Sequence, residues 1–321
     1  MTEQEFSQSL GENFSQPRGI VGRNPVFEKE IRGLIRQQRS RSVIIFYLVV
    51  LAVIAFLLYI TIISANAVSP DPDVRRRLGK IIFLAITLAQ LIAIIFIAPL
   101  FSADTITTER ENKTFELLRI TSVSASYIVR GKLFAGIMFT LLLLLISLPL
   151  QSGAYLLGGI TPSEFLVSTV LLIVTTIFLC TISIWASTQS KRTSSAIGLA
   201  YTIASAVLLG LPILAYVIIR LAPIPSDQGL FIALQTVLKN LDPAFQAIFI
   251  VIIWFLISSN PISTAIITYS LFLDEGVRIL YDLTAFKVHF PFIAPWITFI
   301  LLYLILSWPF YRASVRQIEK R

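Results

Sequence analysis

Six stretches of this chain are long, apolar and uncharged. Val43–Ile63, Ile81–Phe101, Leu133–Leu150, Phe165–Ala186, Ala196–Ile219 and Pro291–Tyr311 contain no Asp, Glu, Lys, Arg or His. An apolar helix of about 20 residues crosses the hydrocarbon of a bilayer, and each stretch is roughly that long. The runs lack the apolar–polar alternation of an outer-membrane barrel. A backbone exposed to lipid must satisfy its own hydrogen bonds, which leaves the helix. The expectation is an all-α integral membrane protein with six transmembrane helices. Composition agrees, because 14% of the residues are charged where soluble domains carry about a quarter. The first forty residues hold no apolar run, so the first span is expected to act as its own insertion signal. Cys180 is the single cysteine; it lies in the fourth stretch and reads as a small packing residue.

The same stretches constrain function. Carriers driven by an ion gradient keep a titratable or ligating group inside the membrane, and these spans have none. Their polar residues are neutral: Thr87 and Gln90 in the second, Ser147 in the third, Thr175 in the fourth and Thr202 in the fifth. Such side chains commonly bond across helix interfaces. They could equally line a pathway for an uncharged or amphipathic substrate, and both readings stay open. Gly79-Lys80 and Gly131-Lys132 are followed by Ile81 and Leu133, where a phosphate-binding loop needs Ser or Thr. His289 is the only histidine, so a helical zinc-protease motif is excluded. No catalytic residue and no metal-ligating set is assigned, and the chain is not expected to be an enzyme. Energy for any transport is expected from another chain.

Charge sets the orientation. With six spans both termini share a side. That side carries 18 Lys and Arg, against 8 on the other. The excess marks the cytoplasm, so both termini are expected inside a plasma (inner) membrane. Arg75–Arg77, in the first outer loop, is the one feature against it. The net charge of +8 is explained by this clustering beside spans, and no nucleic-acid partner is expected.

Between the spans, three segments stand out. Residues 1–22 are polar and expected to be disordered. Residues 23–41 read as an amphipathic helix, with Asn24 as cap, Pro25 in the first turn and Phe27, Ile31, Leu34 and Ile35 on one face. Glu28, Lys29, Arg32, Arg36 and Arg39 occupy the other face, so the helix is expected in the lipid headgroup plane. The rest, 42–321, forms the transmembrane domain, with spans at about 43–63, 81–101, 131–151, 165–187, 195–219 and 291–311. The Ser102–Arg130 connection is the longest inner one. Within it Glu109, Arg110, Glu111, Thr114, Phe115, Glu116, Leu118 and Arg119 form a short helix with acids first and a base last. One apolar edge, Phe115 and Leu118, suits a partner protein; a solvated linker is the alternative. Between the fifth and sixth spans, Ala247–Ile257 and Ile262–Leu273 are apolar but each too short to cross. Ser258-Ser259-Asn260-Pro261 breaks them. A re-entrant hairpin over about 244–273 is the favoured reading, and two further full spans the other.

Taken together, these segments resemble the membrane subunit of ABC transporters of the ABC-2 type. Asn24-Pro25-Val26-Phe27-Glu28-Lys29-Glu30 is similar to the family's opening Asn-Pro-x-x-x-Lys-Glu helix. Glu109-Arg110-Glu111-Asn112-Lys113-Thr114-Phe115-Glu116-Leu117-Leu118 resembles its coupling segment, with Lys113 where glycine is usual and Ser122 where proline follows Thr121. Ser187, Arg192-Thr193 and Tyr201 resemble the fourth-to-fifth connection, and Leu241-Asp242-Pro243 the segment after the fifth span. The resemblance implies a permease subunit that pairs with itself or a second permease and contacts lipid. It also implies separate ABC ATPase subunits that bring ATP and Mg, with no cofactor in this chain, and export more often than import. A secondary transporter or channel, and a mechanical transmitter that moves no substrate, are the rival functions.

Overall fold

The computed structural model describes residues 25–64, 72–115, 124–156, 160–210, 213, 251–252, 254–256, 258–274, 279–283 and 290–320. Its first helix, α1 (Pro25–Arg36), starts on proline, with Glu28 in the first turn and Arg36 in the last, an arrangement that suits the helix dipole. Only Gln37 separates it from α2 (Gln38–Ser64). Backbone bonds bridge the junction, Gln37 N to Gly33 O at 3.1 Å and Arg41 N to Gln37 O at 3.3 Å. The amphipathic helix therefore runs straight into the first apolar one. Its stripe is divided: Leu34 packs beside Tyr47, Phe101 and Phe139, Phe27 and Ile31 are half-buried, and Ile35 is 54% exposed.

Then follow α3 (Pro72–Ser102), α4 (Thr107–Glu111), α5 (Ala125–Leu156), α6 (Pro162–Gln189) and α7 (Thr193–Ser205). After these come α8 (Pro261–Asp274), strands β1 (Leu280–Leu283) and β2 (Phe290–Ile293), and α9 (Pro295–Lys320). Among the described residues, five helices are long and apolar enough to cross a membrane: α2, α3, α5, α6 and α9. Helix α6 is the hub, touching α3, α5, α7 and α9. Where α3, α5 and α6 meet, α5 carries Gly136. A Cβ there would lie 2.5 Å from Ser102 Oγ and 3.6 Å from Cys180 Sγ, so glycine sets the approach of the three helices. Cys180 is buried at this junction. On the other side of α6, Phe178 meets Tyr303 of α9 at 4.4 Å between ring centroids.

The fifth apolar stretch begins as α7 and continues through a π-helical turn, Ala206–Gly210; its second half lies outside the described residues. A π turn loosens the regular hydrogen-bond ladder, and Leu208 O accepts a bond from Asn260 Nδ2. Asn260 Oδ1 in turn accepts from Ile262 N at 2.9 Å and Ser263 N at 3.0 Å, capping α8. Tyr303 Oη donates to Ser259 O at 2.8 Å. The Ser258-Ser259-Asn260 turn is buried inside protein, where irregular backbone is tolerated. Helix α8 has 14 residues, about 21 Å at about 1.5 Å per residue, short of the roughly 30 Å of hydrocarbon.

Two boundaries differ from the sequence reading. Among the described residues the fold is helical with one addition, an antiparallel β1–β2 pair in which Leu280 faces Ile293 and Leu283 faces Phe290. Because Phe290–Ile293 is extended, the last helix starts at Pro295, not Pro291, and runs on to Lys320. Proline fits both positions: it suits the first turn of a helix and lacks the N–H that a strand interior would use. The polar leader 1–22 lies outside the described residues, as do Glu116, Leu118 and Arg119 of the inner connection.

Candidate functional site

One end of the helix bundle gathers α1, the α3–α4 connection, the start of α5 and the α6–α7 turn. Its centre is Lys132, at the first turns of α5 and 0% exposed. Its ammonium donates to Glu30 Oε1 of α1 at 2.8 Å and to Thr105 O at 2.9 Å. It also lies 3.1 Å from Glu109 Oε1 of α4. An ammonium has three N–H donors, and here three acceptors from three segments surround it. Lys29 adds a second contact to Glu109 Oε1 at 3.3 Å. Arg39 pairs with Asp104 at 3.6 Å and lies over the Phe101 ring at 5.3 Å. Adjacent residues of the Lys29-Glu30 motif therefore reach opposite charges, Lys29 on the coupling segment and Glu30 on the third apolar helix.

A second set of bonds ties α4 to the α6–α7 turn through helix ends. Helix ends leave backbone N–H and C=O groups without intrahelical partners. The residue before α4, Ile106, supplies no side-chain cap. Ser187 Oγ of α6 takes that role, accepting from Ile106 N and Thr107 N, each at 3.2 Å. Arg110 of α4 returns the contact: its Nη1 donates to Thr188 O at 3.1 Å and to Ser190 O at 2.7 Å. These carbonyls lie at the C-terminal end of α6, where a cation is also favoured by the helix dipole. Glu111 then caps α7, its Oε1 accepting from Thr193 N at 2.7 Å. Thr193 Oγ1 lies 3.0 Å from Glu111 Oε2 and 3.1 Å from Thr107 Oγ1. Each of three helix ends is thus completed by a side chain from its neighbour.

This arrangement changes the reading of individual residues. Glu109, Arg110 and Glu111 come together as expected for one segment, yet their charges are spent on contacts within the chain. Phe115 is 8% exposed and packs with Ile106, Val129, Ile184 and Ile318, beneath the Arg110 guanidinium at 5.2 Å. The sequence reading holds Phe115 out to a partner as an apolar anchor; in this structure its own chain covers it, because the turn after α4 folds it back. Thr114 is exposed, as are Asn112 and Lys113 at the tip and Lys191 and Arg192 beside it. Lys113 has φ 59°, the left-handed region that glycine enters freely and a side chain enters at a cost. The backbone thereby accounts for the glycine usual at that point of the resemblance.

Lys132 and Ser187 are the residues that sequence reasoning undervalued. Lys132 follows a glycine at the mouth of a span, where the sequence marks it as a positive charge and a rejected phosphate-loop lysine but not as the centre of an ion-pair cluster. Its partners Glu30 and Glu109 are 102 and 23 positions away, and no local pattern links them. The neutral polar residues of the spans separate into three groups. Gln151 Nε2 donates to Gln90 Oε1 at 2.6 Å, and Gln90 Nε2 to Ser147 Oγ at 2.7 Å, a buried chain joining α3 to α5. Thr87 and Thr175 line one cavity. Thr202 is exposed and bonds to its own helix at Gly198 O, 2.8 Å away.

No curated protein matches the chain. Residues 24–273 match the family model described as ABC-2 family transporter protein, a range that opens at the Asn24-Pro25 helix and closes at the end of α8. Members of this family are membrane components that work with an ABC ATPase rather than being the ATPase themselves. The chain therefore belongs to the ABC-2 transporter family, as a membrane-embedded permease component of an ABC transporter.

Proposed function

We propose that this chain, paired with a second permease subunit (a copy of itself or a related chain), exports its substrate on energy from a separate ATPase. The ATPase docks at the end built around Lys132. The observation that carries this reading is the reciprocal capping of α4, α6 and α7. It joins the coupling segment to two apolar helices through backbone bonds, so a push on one is passed to the others without an intervening flexible loop. Lys132 adds α1 and α5 to the same unit. The absence of charge in the six apolar stretches supports an external energy source, and the excess of Lys and Arg at this end supports its placement in the cytoplasm.

The surface offered to the ATPase is the rim: Asn112, Lys113 and Thr114 at the tip, with Lys191 and Arg192 alongside. The half-buried Glu109 and Arg110, the exposed Glu111 and the buried Phe115 position that rim. The turn at Ser258–Pro261, held by Leu208 O and Tyr303, is the inner tip of a re-entrant hairpin. The experiment is co-purification of the tagged permease with its ATPase. Lys191→Glu with Arg192→Glu is expected to release the ATPase in a salt-dependent manner, because rim charges act mainly on association. The variant permease should melt at the wild-type temperature. Full retention of the ATPase at low and high salt would overturn the assignment of this rim.

A further inference from the structure

The opposite end of the bundle holds a cavity that the coupling machinery does not use. Helices α3, α6, α8 and α9 enclose it, with Lys80, Phe83, Leu84, Thr87, Ile160, Glu164 and Thr268 among its walls. At its mouth Lys80 Nζ pairs with Glu164 Oε1 at 3.2 Å, and the two side chains are only 18% and 7% exposed. Glu164 is fixed in place, because its Oε2 accepts from Thr161 N at 2.9 Å and closes the cap of α6. Deeper in the same cavity are two threonines from different helices, Thr87 at 5% and Thr268 at 3% exposure. Neither hydroxyl has a hydrogen-bond partner. The buried threonines of α6, by contrast, turn back to their own helix, as Thr175 does to Leu171 O at 2.8 Å. A buried hydroxyl left without a partner costs about 1–3 kcal/mol, and such an exception calls for an explanation.

We propose that this cavity binds the headgroup of a zwitterionic lipid carrying a primary ammonium. Its volume of about 30 Å3, against the ~10–15 Å3 that one water-sized group requires, admits the terminal ammonium and leaves the phosphate at the mouth. The acceptors around it are the Thr87 and Thr268 hydroxyl oxygens and the Glu164 carboxylate, and an ammonium brings three N–H donors. Lys80, paired with Glu164 at the mouth, would meet the lipid phosphate there. One cation and one carboxylate at the mouth suit a headgroup that carries both signs. An anionic headgroup would leave Glu164 opposed, and a simple cation would leave Lys80 opposed. Depth agrees as well, since Lys80 immediately precedes the apolar run from Ile81 and Glu164 precedes that from Phe165. Phe83, Leu84 and Ile160 then offer apolar wall to the first part of the acyl chains.

The test titrates the detergent-purified full-length chain, without ATPase, with phosphatidylethanolamine, phosphatidylcholine and phosphatidylglycerol, reading bound lipid by native mass spectrometry. Phosphatidylcholine keeps the phosphate and the positive charge but has no N–H. The expected result is about tenfold tighter binding of phosphatidylethanolamine than of either other lipid, from hydrogen bonds to a charged donor. Thr87→Val with Thr268→Val should reduce that preference to near unity. It removes only unpartnered hydroxyls, so the fold should hold. Thr202→Val, on an exposed face, should leave the preference unchanged. Equal binding of the three lipids to the wild-type chain would overturn the proposal, and so would a preference that survives in the double variant. If the double variant does not fold, the wild-type comparison alone decides.

Discussion

At the scale of single residues, Lys113 and Lys132 show two opposite uses of lysine. Lys113 occupies a left-handed backbone position at an exposed tip, so Lys113→Gly is expected to stabilise the permease or leave it unchanged. The strain relieved is about 1 kcal/mol, offset in part by the greater freedom of glycine when unfolded. A thermal melt in detergent checks this, and a clear drop in melting temperature would contradict it. Lys132 is different, because its buried ammonium holds two carboxylates. Lys132→Met leaves Glu30 and Glu109 facing one another in a poorly hydrated site. The expected loss is about 3–5 kcal/mol, as for other buried pairs deprived of one partner. Adding Glu30→Gln and Glu109→Gln to that variant should restore a substantial part, since the site is then neutral. Melting of the single and triple variants measures it, and equal destabilisation in both would show that the charges themselves matter little. Sequence alone made the residues of this site visible but not their roles. The acids of the coupling segment were legible as a cluster, whereas their pairing with Lys29, Lys132 and Thr193 depends on contacts across 80, 23 and 82 positions.

At the scale of elements, α4 is only 5 residues long, far below the length at which an isolated helix persists in water. It exists because Ser187, Arg110 and Glu111 complete helix ends on both sides of a contact. Each bond of this kind is worth about 1 kcal/mol when removed. Ser187→Ala and Glu111→Ala are therefore expected to leave α3 and α6 intact while speeding amide hydrogen exchange across 106–112. A cap worth about 1 kcal/mol corresponds to roughly fivefold faster exchange. Unchanged protection in both variants would mean that packing of Ile106 and Phe115 holds the helix without the caps. The apolar spans were readable from hydrophobic length, because bilayer thickness fixes that length. Where α9 begins was not. The extended Phe290–Ile293 segment is as apolar as the helix it precedes, and only its pairing with Leu280–Leu283 distinguishes the two. The cover that lets Ser258–Asn260 sit buried was equally illegible, since it comes from Leu208 and Tyr303 on other elements.

For the whole molecule, the distribution of Lys and Arg predicts both termini in the cytoplasm. A reporter fused after Arg321 should read cytoplasmic and one inserted at Ser69 external; a cytoplasmic signal at Ser69 would reverse the first hairpin. The mutual capping of α4 with the α6–α7 turn also bears on how the permease is made. The coupling segment leaves the ribosome well before Ser187 and Thr193, about 80 residues ahead of its partners. Until those residues arrive, α4 has neither its borrowed cap nor its carbonyl partners, and the docking rim is not assembled. If the ATPase docks on this rim as proposed, half-made chains would present no finished platform, and its recruitment would report that the fourth and fifth apolar segments have been inserted and joined. In this way the contact that would transmit force in the mature transporter would also serve, during biogenesis, as a checkpoint against premature pairing.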